Sequence, residues 1–153
     1  ARLVVERVFS PHEYTLLARG VIPEHMEDRW FVFLEGTTLF FHRSWSGYCI
    51  FEVTLVRQGD KYVIGDVLVN RDTTQYSGSS DSYDSHLLLF LINNLVLGQH
   101  SMLPLPQGVS GSLAVELYHH QVAGAGHKQP HTLQLGDLLR WVWDWLWWLI
   151  KRR

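Results

Sequence analysis

Apolar and polar positions alternate most clearly between residues 29 and 70. Four runs, Arg29 to Glu35, Thr37 to Arg43, Tyr48 to Arg57 and Lys61 to Asn70, are rich in Val, Ile, Phe, Tyr, Trp or Thr. Such side chains suit a pleated, half-buried surface and predict strands. The separators Glu35-Gly36, Ser44 to Gly47 and Gln58-Gly59-Asp60 are short and carry glycine, so consecutive strands should fold back as hairpins. In the third run Cys49, Phe51, Val53 and Leu55 alternate with Ile50, Glu52, Thr54 and Val56, which gives one apolar face and one mixed face. A sheet covered on one side by helices has this pattern. The fold expected is α+β: an antiparallel β-meander of four to five strands with helices packed on one face, in a single domain over residues 1–153.

The flanks supply the helices. Leu3-Val4-Val5 and Val8-Phe9 suggest a short strand. Ser10-Pro11-His12-Glu13 then reads as a capping box with proline at the first helical position, and predicts a helix from Pro11 to about Arg19, stopped by Gly20 and Pro23. Asp72 to Tyr83 is polar and too long for a tight turn, so it reads as a flexible loop or lid. Asp84-Ser85 can cap a helix running from His86 to Leu97 and ended by Gly98; it is apolar nearly all round and should be central. Pro104 and Pro106 break the chain. Ser112 to Val122 favours helix slightly over strand, and Gly124 to Pro130 reads as a loop.

The final stretch, Asp137 to Arg153, predicts a helix that holds five of the seven tryptophans: Trp141, Trp143, Trp145, Trp147 and Trp148. Asp137, Arg140, Asp144 and Lys151 fall on one polar stripe, and the rest of the cylinder is apolar. Such a surface needs a cover. The choices are its own core, a second copy or protein partner for which tryptophan is a favoured anchor, or a membrane surface. Asp144 and the short apolar run oppose a membrane span. A partner is the expectation, with residues 137–153 as an association helix.

Composition narrows the class. Hydrophobic residues make up 46% and charged residues 18% of 153, which is globular. The formal net charge of -2 gives no basic field for nucleic acid. Ala1 to Phe9 carries Arg2, Glu6 and Arg7 and does not read as a signal peptide. The one cysteine, Cys49, cannot form an intramolecular disulfide; it reads as a buried, inert thiol, and a cytoplasmic setting is expected.

Three constellations could carry chemistry. Phe41-His42-Arg43-Ser44-Trp45-Ser46-Gly47 packs a proton carrier, an anion fork, a hydroxyl and a stacking plane into consecutive positions. These groups suit a phosphate-linked aromatic ligand. The plainer reading is a packed hairpin, with Trp45 as a core anchor, Arg43 paired with Glu52 across the strands and His42 on the exposed face. A second group, Asp66, Arg71, Asp72, Asp81 and Asp84, could form an acid–base pair or a cation site, although loop carboxylates more often cap helices and tie turns. The third is the histidines His100, His119, His120, His127 and His131. His127 and His131 are four apart, but Pro130 between them argues against the helix that would align them on one ion, and no metal site is expected. G-x-S-x-G, P-loop and GxGxxG motifs are absent.

The run Met26-Glu27-Asp28-Arg29-Trp30-Phe31-Val32-Phe33, followed by Leu39-Phe40-Phe41-His42-Arg43-Ser44-Trp45-Ser46-Gly47 and Ile50, resembles uncharacterised bacterial proteins associated with ADP-ribosylglycohydrolase-type proteins as a neighbouring or fused module. The resemblance covers residues 26–57. The aspartate-rich metal motifs of that family's catalytic domain are missing, so the resemblance implies an accessory or ADP-ribose-linked role. Two functions are therefore expected as alternatives. One is a non-catalytic interaction or assembly module working through the terminal helix. The other is a nucleotide- or ADP-ribose-linked binding protein or hydrolase, with Arg43, Ser44 and Trp45 binding the ligand and His42 or Asp72 as acid–base residue. A peripheral membrane role is the third possibility. No cofactor is specified by the sequence.

Overall fold

The computed structural model describes residues 1–25, 27–78, 80–102 and 104. Their sheet has six antiparallel strands: β1 (Arg2–Leu3), β2 (Val8–Phe9), β3 (Trp30–Glu35), β4 (Thr38–Arg43), β5 (Cys49–Gln58) and β6 (Lys61–Val69). The spatial order is β1-β6-β5-β4-β3, with β2 also paired to β6. The meander β3 to β6 is the one expected. The strand count is higher than expected because the N-terminal segment lays two separate two-residue strands along β6 instead of one. Expectations for Ser112 to Val122, Gly124 to Pro130 and Asp137 to Arg153 fall outside the described residues.

Pairing fixes the two faces. Trp30 lies opposite Arg43, Val32 opposite Phe41 and Leu34 opposite Leu39, and this set faces the helices. Phe31 lies opposite His42, Phe33 opposite Phe40 and Glu35 opposite Thr38, on the outer face. A bulge interrupts the alternation of β5: Phe41 pairs with Phe51 but His42 pairs with Cys49, which leaves Ile50 as the extra residue. Ile50 and Phe51 are therefore both buried in the core, while Cys49 stays beside His42.

Two helices cover the inner face. The first, α1 (Pro11–Arg19), begins with the expected capping box: Ser10 Oγ accepts from the Glu13 amide at 3.2 Å, and Glu13 accepts from the Ser10 amide at 2.8 Å. Partial burial disfavours the Glu13 charge, but the Ser10 and Gln99 hydrogen bonds and nearby Arg7 outweigh it and hold the carboxyl below its usual pKa. Leu17 of α1 is fully buried, and Tyr14 stacks on Tyr62 with centroids 3.7 Å apart. The helix ends at Gly20, whose φ is 67° and whose Cβ, if present, would lie 2.2 Å from the Val32 carbonyl oxygen. The backbone can come this close to β3 only because residue 20 has no side chain.

The second helix, α2 (Asp81–Leu91), continues into a single π-type stretch, Ile92–Val96. Its cap is Ser80, whose hydroxyl accepts from the Tyr83 amide, not the expected Asp84-Ser85. Asp84 lies inside the first turn and is fully buried, accepting from the Arg71 guanidinium and, at 2.6 Å, from the Tyr76 hydroxyl. Arg71 also grips Asp81. The expected flexible loop is therefore shorter, and its described part is tied down: residues 71 and 76 are both fastened to the start of α2. Gly78 closes over this knot, since a Cβ there would lie 2.5 Å from the Tyr76 ring and 2.7 Å from Arg71.

Asp84→Ala should leave Arg71 with Asp81 alone and strand the buried Tyr76 hydroxyl, and should lower unfolding stability by about 3 kcal/mol in urea melts. Gly20→Ala should cost at least ~1 kcal/mol, because the alanine meets both an unfavourable φ and the Val32 carbonyl. Wild-type stability in either variant would contradict these assignments.

Candidate functional site

The β4–β5 turn is built from hydrogen bonds on both of its sides. The Arg43 amide donates to the Tyr48 carbonyl at 2.9 Å and the Gly47 amide to the Arg43 carbonyl at 2.8 Å, with Gly47 at φ 72°. The segment before β3 is shaped by Asp28, whose carboxylate accepts from the Glu24 and His25 amides at 2.8 and 2.9 Å. The two pieces are joined: the Ser44 amide donates to the Arg29 carbonyl at 3.2 Å, and the Ser44 hydroxyl donates to the Asp28 carbonyl. This seam brings Arg29 beside the turn.

An open depression of about 420 Å³ lies over the seam, lined by Arg29, Arg43, Trp45 and Ser46. The Arg29 guanidinium sits 5.4 Å from the Trp45 ring, and Trp45 is 60% exposed. Trp45 is thus not the core anchor of the plainer reading. The Arg43 guanidinium lies 4.2 Å over the ring of Trp30, which is buried. It faces the helix side, whereas Glu52 lies on the outer face opposite Phe40, so the sheet separates the expected Arg43–Glu52 pair. Behind Trp30 the rings continue: Trp30 stacks on Phe51 at 6.2 Å, Phe51 meets Tyr76 edge-on at 6.1 Å, and Tyr76 is bonded to Asp84. Burial and the Asp84 hydrogen bond push the Tyr76 phenol well above its usual pKa, and the charge of Arg43 reaches it in the opposite sense. Tyr76 therefore stays protonated at any physiological pH.

The remaining expected site residues do not share this depression. His42 points to the outer face, where it stacks on Phe33 at 5.5 Å and its Nδ1 lies 2.8 Å from the Gly47 carbonyl oxygen. A carbonyl only accepts, so Nδ1 carries the proton and helps close the turn. Asp72 forms a turn of its own, accepting from the Thr74 amide at 2.9 Å and hydroxyl at 2.6 Å. Those bonds, the hydroxyl's first, hold its carboxyl below the usual range. Ser44 lends its hydroxyl to the seam. Asp66 pairs with Arg2 at 2.9 Å, away from the Arg71 knot, so the expected acidic cluster is three separate structural devices. No group of three potential metal ligands occurs among the described residues. Trp141, Trp143, Trp145, Trp147 and Trp148 lie outside the described residues.

Ser46 belongs to the 41–47 string that the sequence reading proposed, whereas Arg29 is a member of the depression that it did not place in a site. The signal for Arg29 was the hairpin: if Trp30 pairs with Arg43, residue 29 must meet residue 44. No family model matches the chain, and no curated protein or solved structure matches it. Among the described residues no helix is long and apolar enough to cross a membrane.

Cys49 lies half-buried at the edge of the outer-face rings, and burial, with Glu52 nearby, pushes its thiol up to about 11. Iodoacetamide at pH 8 should therefore alkylate native Cys49 about a hundredfold more slowly than the urea-unfolded chain, since the thiolate is the nucleophile. Equal rates would contradict this placement.

Proposed function

We propose that this chain is a non-catalytic interaction module that holds a planar anionic group in the Arg29–Arg43–Trp45 depression. The ligand class is nucleotide- or ADP-ribose-like. The observation that carries the reading is the convergence of two guanidiniums and an exposed indole over one seam, each guanidinium lying against an indole ring. A guanidinium stacked this way is held in orientation, and its in-plane N–H donors match phosphate or carboxylate oxygens. The exposed Trp45 ring offers a base a stacking surface.

The geometry favours binding over hydrolysis. The residues considered for acid–base work have other tasks: His42 closes the turn from the opposite face, and Asp72 is occupied by Thr74.

Calorimetric titration with ADP-ribose, AMP and inorganic pyrophosphate tests the proposal. ADP-ribose should bind more tightly than pyrophosphate, because only it can use Trp45. Arg43→Ala and Arg29→Ala should each weaken it by about 10- to 100-fold, the worth of a charged hydrogen bond. Binding should fall as salt rises, Asp72→Ala should bind like wild type, and the recovered ligand should be intact. No binding at millimolar ligand, or equal binding by Arg43→Ala, would overturn the site; cleaved ligand would overturn the non-catalytic assignment.

A further inference from the structure

Two serines flank Trp45 in the β4–β5 turn, and their hydroxyls have different tasks. The Ser44 hydroxyl donates to the Asp28 carbonyl and the Ser44 amide to the Arg29 carbonyl, so its donors are spent on the seam. The Ser46 hydroxyl instead accepts, from the Tyr48 amide at 3.4 Å. A hydroxyl that accepts keeps its own proton to donate. Ser46 lines the depression with Arg29, Arg43 and Trp45, so that proton is available to a group lying there. The backbone of the turn adds little, because the amides of Arg43, Ser44, Gly47 and Tyr48 already donate to the Tyr48, Arg29 and Arg43 carbonyls and the Ser46 hydroxyl, in that order. Recognition of an anion falls mainly to side chains: two guanidiniums and one hydroxyl.

This donor set bears on which anion fits. A guanidinium offers its N–H groups in a flat fork that matches a pair of oxygens. A carboxylate, or a phosphorus esterified twice, presents two free oxygens, and two forks can satisfy them. A terminal phosphate presents three and carries nearly two charges at neutral pH. The two guanidiniums meet the charge, but the third oxygen lies outside the O–P–O plane of the other two and calls for a donor from another direction. We propose that Ser46 supplies it, and that the anionic end preferred by the depression is a phosphate monoester, as in a nucleoside monophosphate. The assignment rests on the nucleotide-binding reading of the same depression and narrows it. Arg29 and Arg43 attract any such anion and Trp45 accepts any base, whereas Ser46 separates a terminal phosphate from the doubly esterified phosphorus atoms of ADP-ribose.

Calorimetry on the full chain with AMP and with its phosphate methyl ester tests the role of Ser46. The two ligands share base and ribose, and the ester has lost one free phosphate oxygen. Wild type should bind AMP more tightly. Because the ester also carries less charge, the decisive quantity is how each affinity changes on substitution. Ser46→Ala should weaken AMP about 5- to 10-fold and the ester by less than about twofold, and Ser46→Thr, which keeps the hydroxyl, should keep the preference for AMP. Equal weakening of both ligands by Ser46→Ala would mean that Ser46 only holds the turn through Tyr48, and would overturn the proposal. Unchanged AMP binding by Ser46→Ala would overturn it as well. Either result leaves the depression standing as a binding site. Wild type that binds neither ligand would overturn the site and the Ser46 assignment together.

Discussion

The buried indole of Trp30 is the contact on which the rest of the described structure depends. It is 1% exposed, packs edge-on against Phe41 and face-on against Phe51, and bears the Arg43 guanidinium on its ring. Through Phe51 and Tyr76 it is connected to Asp84, so the β4–β5 turn and the start of α2 are held against one column of rings. Aromatic side chains supply large buried area with few rotors, so such a column is stiff for its size. The stiffness matters because the Arg43 side chain is held by packing on Trp30 while its backbone is held by the hydrogen bonds of the turn. Arg29, joined to the turn through the Ser44 seam, inherits the same position.

The alternation of the strand is equally decisive. Phe41, His42 and Arg43 are consecutive in β4, so they point inward, outward and inward. His42 and Arg43 cannot serve one site on the sheet, however suggestive the string of residues looks. The bulge at Ile50 keeps Cys49 beside His42 and lets Ile50 and Phe51 both enter the core. The outcome sets Arg43 on the helix side with Arg29 and Trp45 beside it, and His42 on the outer face.

Much of this was legible in the sequence. The four long strands, their hairpins and the Ser10–Glu13 capping box are local patterns, and local physics specifies them. What escaped depended on distant partners. β1 and β2 are two residues long and exist because β6 offers an edge. Asp84 looks like a helix cap until Arg71 and Tyr76 arrive from the preceding loop and turn it into a buried acceptor, leaving the capping to Ser80. Arg29 carried no motif of its own, and became a site residue only through antiparallel pairing. The separation of His42 from Arg43, by contrast, was implicit in the strand reading, since neighbouring strand residues face opposite ways.

The most direct test of the account follows side chains by NMR while ADP-ribose is added. Arginine Nε–H signals of Arg29 and Arg43 and the indole N–H of Trp45 should move together along one binding curve, with the His42 ring and Asp72 unmoved. Joint movement of His42 or Asp72 with the arginines, or an unmoved Arg43 and Trp45 while the ligand binds, would contradict the assignment of the depression as the site.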